Sequence, residues 1–195
     1  MLSIGSESEH RWSWYALCVR LGFEIAVSRA LGNKGYEQFL PLYPSARRWS
    51  DRTKQIHLPL FPGYLFCRLN VQERLLPVLT TPGVISILGS GPVPSAVPEI
   101  EISAIQAVVR SGLSAQPVPY LAGGAKVPIE GGPLKGLEGI VLSTKNSNAE
   151  KPCRLVVSVS LLQRSIAVEI QREWVRPLSI GDSLREDELS SDHHD

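Results

Sequence analysis

Few residues of this 195-residue chain have the type and spacing that reaction chemistry requires. Of the four histidines, His10 and the pair His193-His194 lie in polar terminal segments, and only His57 falls in a stretch with regular patterning. The histidine pair suits adventitious metal binding at most. Cys18, Cys67 and Cys153 are odd in number, far apart and without a CxxC, which argues against both a disulfide framework and a thiolate metal site. No serine, cysteine or carboxylate sits in a nucleophile motif. The glycines at 131, 132, 136 and 139 form no Walker or dinucleotide fingerprint, because no phosphate-cradling turn opens a helix there. Binding is expected rather than catalysis, with neither cofactor nor metal.

Two features suit binding. The segment ARRWSDRTK, residues 46–54, carries Arg47, Arg48, Arg52 and Lys54 against the single acid Asp51, with Trp49 among them. Cations of this kind neutralise phosphates while a ring stacks on a base. The plain alternative is a solvated turn with Trp49 tucked back onto the fold. The second feature is a pair of strands apolar on both faces. In Trp14 to Val19, Trp14, Ala16 and Cys18 alternate with Tyr15, Leu17 and Val19; in Tyr64 to Leu69, Tyr64 and Phe66 oppose Leu65, Cys67 and Leu69. A sheet with helices on one face and water on the other alternates apolar with polar. Here something must cover the second face: a partner, or another part of the same chain.

The elements that position these residues follow from periodicity. Residues 12–20 read as a strand and 24–34 as a helix, with Ala26, Val27, Ala30 and Leu31 as its buried stripe, Glu24 at its positive end and Gly35 as its stop. Tyr36 to Pro41 makes a short strand, Ser45 to Thr53 a polar basic loop, and Lys54 to Leu60 and Gly63 to Leu69 two strands about Pro62-Gly63. A short helix, Gln72 to Val78, leads to a strand at Val84 to Leu88, and a third helix spans Glu99 to Ser111 with Ile102, Ile105, Val108 and Val109 on one face. The order β-α-β-β-β-α-β-α predicts an α+β domain over 12–112, an antiparallel sheet flanked by helices that cover one of its faces. Residues 113–123, with two prolines and no periodicity, read as a linker. Residues 124–178 hold short Val- and Ile-rich runs between turns, which fits a small β-barrel expected to fold independently.

The formal charge of +1 hides an uneven distribution. Gly181 to Asp195 holds six acids and one base, so the rest of the chain has 19 bases and 13 acids, a body of +6. Residues 179–195 are expected to be an acidic disordered tail, and residues 1–11 a flexible N-terminus without signal-peptide character. No run reaches the roughly 18 apolar residues of a membrane span, and a cytoplasmic monomer is expected. The body divides into +3 over 1–112 and +3 over 113–180, too little for either half to hold nucleic acid unaided.

Four successive segments, WYALCVR, FLPLYPSARRWSDRTK, LFPGYLF and TTPGVISILG, resemble the NusG N-terminal (NGN) domain. GAKVPIEGGPLKGLEGIVL, residues 124–142, resembles the KOW motif of the same family's C-terminal SH3-like barrel, through Gly124, Val127, Gly132, Pro133, Leu134, Gly136 and Gly139. The RRWSDR segment looks more like the specialised paralogs, of the RfaH, LoaP and UpxY kind, than the housekeeping factor. The resemblance implies an elongation or antitermination factor whose apolar face docks on the clamp helices of RNA polymerase's largest subunit. Leu60, Phe61, Tyr64 and Phe66 would be the anchors, with Cys18 and Leu88 nearby. Arg74 and Leu75 would reach the second large subunit, and Arg20, Lys34 and Arg74 the non-template DNA strand. For the barrel it implies a small-subunit ribosomal protein, the termination factor Rho or RNA as partner. A KOW-containing RNA- or ribosome-binding protein that does not dock on polymerase is the alternative. Replacing Arg47 and Arg48 by glutamate is expected to weaken binding to an elongation complex and to flatten its salt dependence; an unchanged slope would mean that the segment contacts no phosphate.

Overall fold

A computed structural model describes residues 12–48, 53–120, 126–142 and 153–175. The N-terminal segment 1–11, Trp49 to Arg52, Gly124 and the acidic tail lie outside the described residues. The first unit opens with β1 (Ser13–Val19) and α1 (Glu24–Asn33), followed by β2 (Glu37–Phe39), β3 (Leu42–Arg48), β4 (Thr53–Pro59) and β5 (Tyr64–Leu69). It continues through α2 (Val71–Leu79), β6 (Val84–Ile87), the short strands β7 (Gly89–Ser90), β8 (Val93–Pro94) and β9 (Ala96–Val97), and α3 (Glu99–Ser111). The central sheet runs β2-β5-β1-β6, with β9 also paired to β1 and every pairing antiparallel.

β1 and β5 pair with Ala16 opposite Phe66 and Cys18 opposite Tyr64, so the two alternation classes fall on opposite faces. Tyr15, Leu17, Val19, Leu65, Cys67 and Leu69 pack with Val27 and Leu31 of α1 and Val78 of α2. On the other face Trp14, Ala16 and Phe66 pack with Ile102 and Ile105 of α3. Helices therefore lie on both faces rather than one. The cover that the apolar strands require comes largely from the same chain.

Several expectations need correction. Ser45 to Arg48 is not loop: it belongs to β3, which forms a separate two-stranded hairpin with β4 in which Pro44 sits opposite His57. A proline is tolerated there because a two-stranded ribbon has an outer edge that needs no donor. In α1 the buried residues are Glu24, Val27 and Leu31, whereas Ala26 is exposed and Ala30 only half-buried. Glu24 is buried because its Oε1 accepts the Gly63 N–H at 3.0 Å, tying α1 to the turn before β5. In α3 Ala104 is buried and Val109 is 37% exposed. The third helix otherwise keeps its expected bounds and ends on Gly112 at φ 67°, the left-handed conformation that favours glycine.

The second unit is a five-stranded antiparallel sheet in the order β10-β14-β13-β12-β11, built from β10 (Ala115–Pro119), β11 (Lys126–Pro128), β12 (Glu138–Leu142), β13 (Cys153–Val159) and β14 (Arg164–Ile170). β10 lies inside the segment expected as linker. Its prolines masked the strand pattern, and they are accommodated because β10 is an edge. The units are not packed independently. One apolar core runs from Trp14 and Phe66 through Ile102, Ile105 and Val108 of α3 to Leu134, Leu155 and Ile166. The Ser160 N–H also donates to the Glu101 carboxylate at 3.3 Å.

Candidate functional site

The face of the central sheet under α3 is unevenly covered. Its Trp14 end is sealed, and the Trp14 indole N–H donates to Glu99 Oε1 at 3.3 Å. Beyond α3 the same face carries Phe39, Cys18, Tyr64 and Leu88, all half-buried. Phe66 forms their floor: Phe39 stacks on it at 6.1 Å between ring centroids, and Phe61 meets it edge-on at 5.8 Å. Of the residues singled out for polymerase docking, the structure thus brings Cys18, Tyr64 and Leu88 to one partly exposed patch. It buries Leu60, Phe61 and Phe66, which are 1%, 1% and 0% exposed. Phe39 was missed, although its register opposite Phe66 places it on the same face.

A cation cluster lies on the opposite side of the sheet, built around α2. Pro77 inside this helix removes an N–H and crowds the carbonyl four residues earlier, and the backbone departs from helical geometry at Arg74 (φ −125°, ψ 18°). The displaced carbonyl of Arg74 accepts the Tyr36 hydroxyl at 2.9 Å, while the Arg74 guanidinium lies 4.4 Å from the Tyr36 ring centroid. The same guanidinium donates to the Lys34 carbonyl at 3.3 Å. The Lys34 ammonium donates to Pro77 O at 2.8 Å and to Thr81 Oγ1 at 2.7 Å, capping the negative end of α2. Lys34 and Arg74 are therefore brought together by contacts that hold the fold as well as present charge. Arg20 lies at the other end of α1, a helix of ten residues and so about 15 Å long, with its guanidinium 5.3 Å from the Phe23 ring. Leu75 is half-buried and packs on this side of the sheet.

The hairpin supplies a third basic element. Arg47 stands directly opposite Lys54, and Arg48 opposite Thr53. Arg52 and Trp49 lie outside the described residues. Strands of seven residues extend about 23 Å, so the ladder's basic end is carried well clear of its base at Pro41 and Leu60.

In the second unit the glycines answer to packing. Gly132 has φ 67°, and the Trp174 ring occupies the place a side chain would take. Gly139 is pressed by Leu155 and the Val156 carbonyl. Val127 and Leu134 are buried, Pro133 opens a single 3-10 turn, and Gly136 has φ 89°. A cavity of about 410 Å³ opens between part of α3 and this sheet, lined by Ala104, Lys126, Leu137, Ile140 and Val156 among others. Among the described residues there is no metal-ligand cluster, and no helix is long and apolar enough to cross a membrane.

An apolar face, a cation cluster on its reverse and a basic hairpin define a protein that works through surfaces. Residues 12–106 match the family model described as transcription termination factor NusG. The transcription termination/antitermination protein NusG of Rickettsia bellii is 23% identical over 173 residues, 84% of this chain and 88% of that protein. A solved structure, "Domain interaction in Thermotoga maritima NusG", superposes with a TM-score of 0.55 at 20% identity, covering 87% of this chain and 99% of that one. The first unit is thus a domain of the NusG family of transcription factors, and the chain as a whole is similar to NusG.

Cys18 and Cys67 report on the two faces of the sheet. Cys18 is half-buried in the apolar patch, whereas Cys67 is buried against the α1 and α2 side. Burial pushes the Cys67 thiol up to about 12 from 9.0. Between those values the unfolded chain ionises and the folded one does not, so this thiol's contribution to stability is intact below pH 9 and declines as pH rises towards 12. With a maleimide at pH 8, Cys18 is expected to label in the native protein and Cys67 only after denaturation. Equal labelling of both in the native state would contradict the burial of the sheet.

Proposed function

We infer that this NusG-family protein is an elongation and antitermination factor that docks on RNA polymerase through the patch of Phe39, Cys18, Tyr64 and Leu88. The observation that carries the reading is that the chain covers its own two-sided apolar sheet only in part. What α3 leaves open is a cluster of large apolar side chains on a rigid floor, the composition of a protein-binding hot spot. Its partner under this reading is the pair of clamp helices of the largest subunit. Leu60, Phe61 and Phe66 support the contact from beneath.

Arg74 and Leu75, on the reverse side with Lys34, face the second large subunit and the non-template DNA, and the basic hairpin approaches the upstream duplex. The register gathers Arg47, Arg48 and Lys54 at one end of the ladder, which supports that placement. Bridging the two sides of the channel favours the closed clamp only as far as the factor binds that state more tightly. The function is therefore mechanical: it suppresses pausing and termination in the cytoplasm at particular operons, without a reaction of its own. The second unit recruits a ribosomal protein, Rho or RNA.

Polymerase retention tests the reading. Because Phe61 is sealed in the core, a charge there would disturb the fold, and the informative substitutions are Tyr64→Asp and Leu88→Asp. Each is expected to weaken retention of core polymerase by about thirtyfold or more, the scale of a hot-spot loss, with the melting profile preserved. Unchanged retention would remove the docking model and favour the RNA- or ribosome-binding alternative.

A further inference from the structure

We propose that the cavity between α3 and the second sheet binds a small zwitterion with an apolar body, of the class of free α-amino acids with large aliphatic or aromatic side chains. Its volume of about 410 Å³ lies within the roughly 300–1,000 Å³ of small-molecule sites, and well above the voids that close packing leaves. The wall on the second unit is set by register. Lys126 stands opposite Ile140 and Ile140 opposite Val156, so β11, β12 and β13 put one cation beside two apolar side chains. Glu138 precedes Ile140 by two residues and shares that face. The facing wall is the first turns of α3, where Ile100 and Ala104 stand one helical turn apart.

The chemistry of the walls selects the ligand. Lys126 and Glu138 both line the cavity, and neither has a hydrogen bond or ion pair among the described residues. The other acid of the lining, Glu101, is already engaged by the Ser160 N–H. One free charge of each sign remains, an ammonium to meet a carboxylate and a carboxylate to meet an ammonium. Glu138 pairs with Pro128, two residues along from Lys126, and this diagonal spacing lets one small molecule meet both. Ile100 gives the second reason. It is 78% exposed, more than any other large apolar side chain among the described residues, yet it lines this cavity. An apolar body seated between Ile100 and the Ile140–Val156 wall would take that surface out of water. Such a ligand touches both units and would stabilise the second unit against α3 by mass action. The site is separate from the polymerase-docking patch and does not rest on that reading.

The test uses the full chain labelled with 15N and titrated with L-phenylalanine and L-leucine. Three controls remove one feature each: 3-phenylpropionate lacks the ammonium, phenethylamine the carboxylate, and glycine the apolar body. The amide signals of Gly136 and Gly139, which line the cavity, are expected to shift saturably with both amino acids, with half-saturation at about one millimolar. Those of Gly35 and Gly63, which do not line it, stay fixed. Each control is expected to bind about tenfold more weakly or not at all. Lys126→Met and Glu138→Gln, at exposed positions, should each weaken the response about tenfold. Ala104→Leu, which fills the space, should abolish it with the melting temperature kept or raised. No saturable shift at tens of millimolar would overturn the assignment. So would a response to phenylpropionate or phenethylamine equal to that of phenylalanine, or wild-type binding by Lys126→Met or Glu138→Gln. No polymerase takes part, so the outcome is separate from that of docking.

Discussion

Everything in the first unit depends on one strand that is apolar on both faces. β1 is the only strand paired to three others in the central sheet, through β5, β6 and β9, and each of its side chains from Trp14 to Val19 is apolar. Such a strand is stable only between two layers. α1 and α2 provide one layer, and α3 provides most of the other. The register that places Ala16 opposite Phe66 also places Cys18 opposite Tyr64, one repeat beyond the reach of α3. The partly open patch is thus a direct result of helix position on a continuous apolar face.

The cations obey a similar logic on the reverse side. Pro77 costs α2 its regular geometry, and the irregularity at Arg74 is absorbed by Tyr36 and Lys34. What looks like a charge cluster is also the joint between the end of α1 and the body of α2. A residue in that position cannot be removed for its charge alone, because the carbonyls it satisfies would lose their donors. Substitutions at Lys34 and Arg74 therefore carry a stability component.

Much of this could be read from the residues. The helices at 24 and 99, the strands about Pro62-Gly63 and the runs of the second sheet stand where periodicity and turn residues put them. Where a strand was read as loop or linker, the cause was proline, which hid two strands. Pro44 and the basic run that follows it read as loop but lie in a ribbon, and Pro117 and Pro119 read as linker but lie on a sheet edge. Sequence also foresaw that the second face needed cover without being able to choose its source. The side-chain roles were less legible because they depend on tertiary neighbours. Phe61 sits beside a turn and has the hydropathy of an exposed anchor, yet it is sealed against Phe66. The cavity beside α3 gave no signal at all, since only the fold sets that helix against the second sheet.

The central claim is that the uncovered end of the apolar face is where polymerase binds. The most direct measurement replaces Leu88 with a photo-crosslinking phenylalanine analogue and maps the products formed with an elongation complex. The account predicts a crosslink to the clamp helices of the largest subunit from position 88. It predicts none from Ile100 on α3, which is more open to solvent than Leu88 but outside the patch. Absence of a crosslink at 88, or crosslinks to the clamp helices from position 100 instead, would contradict it.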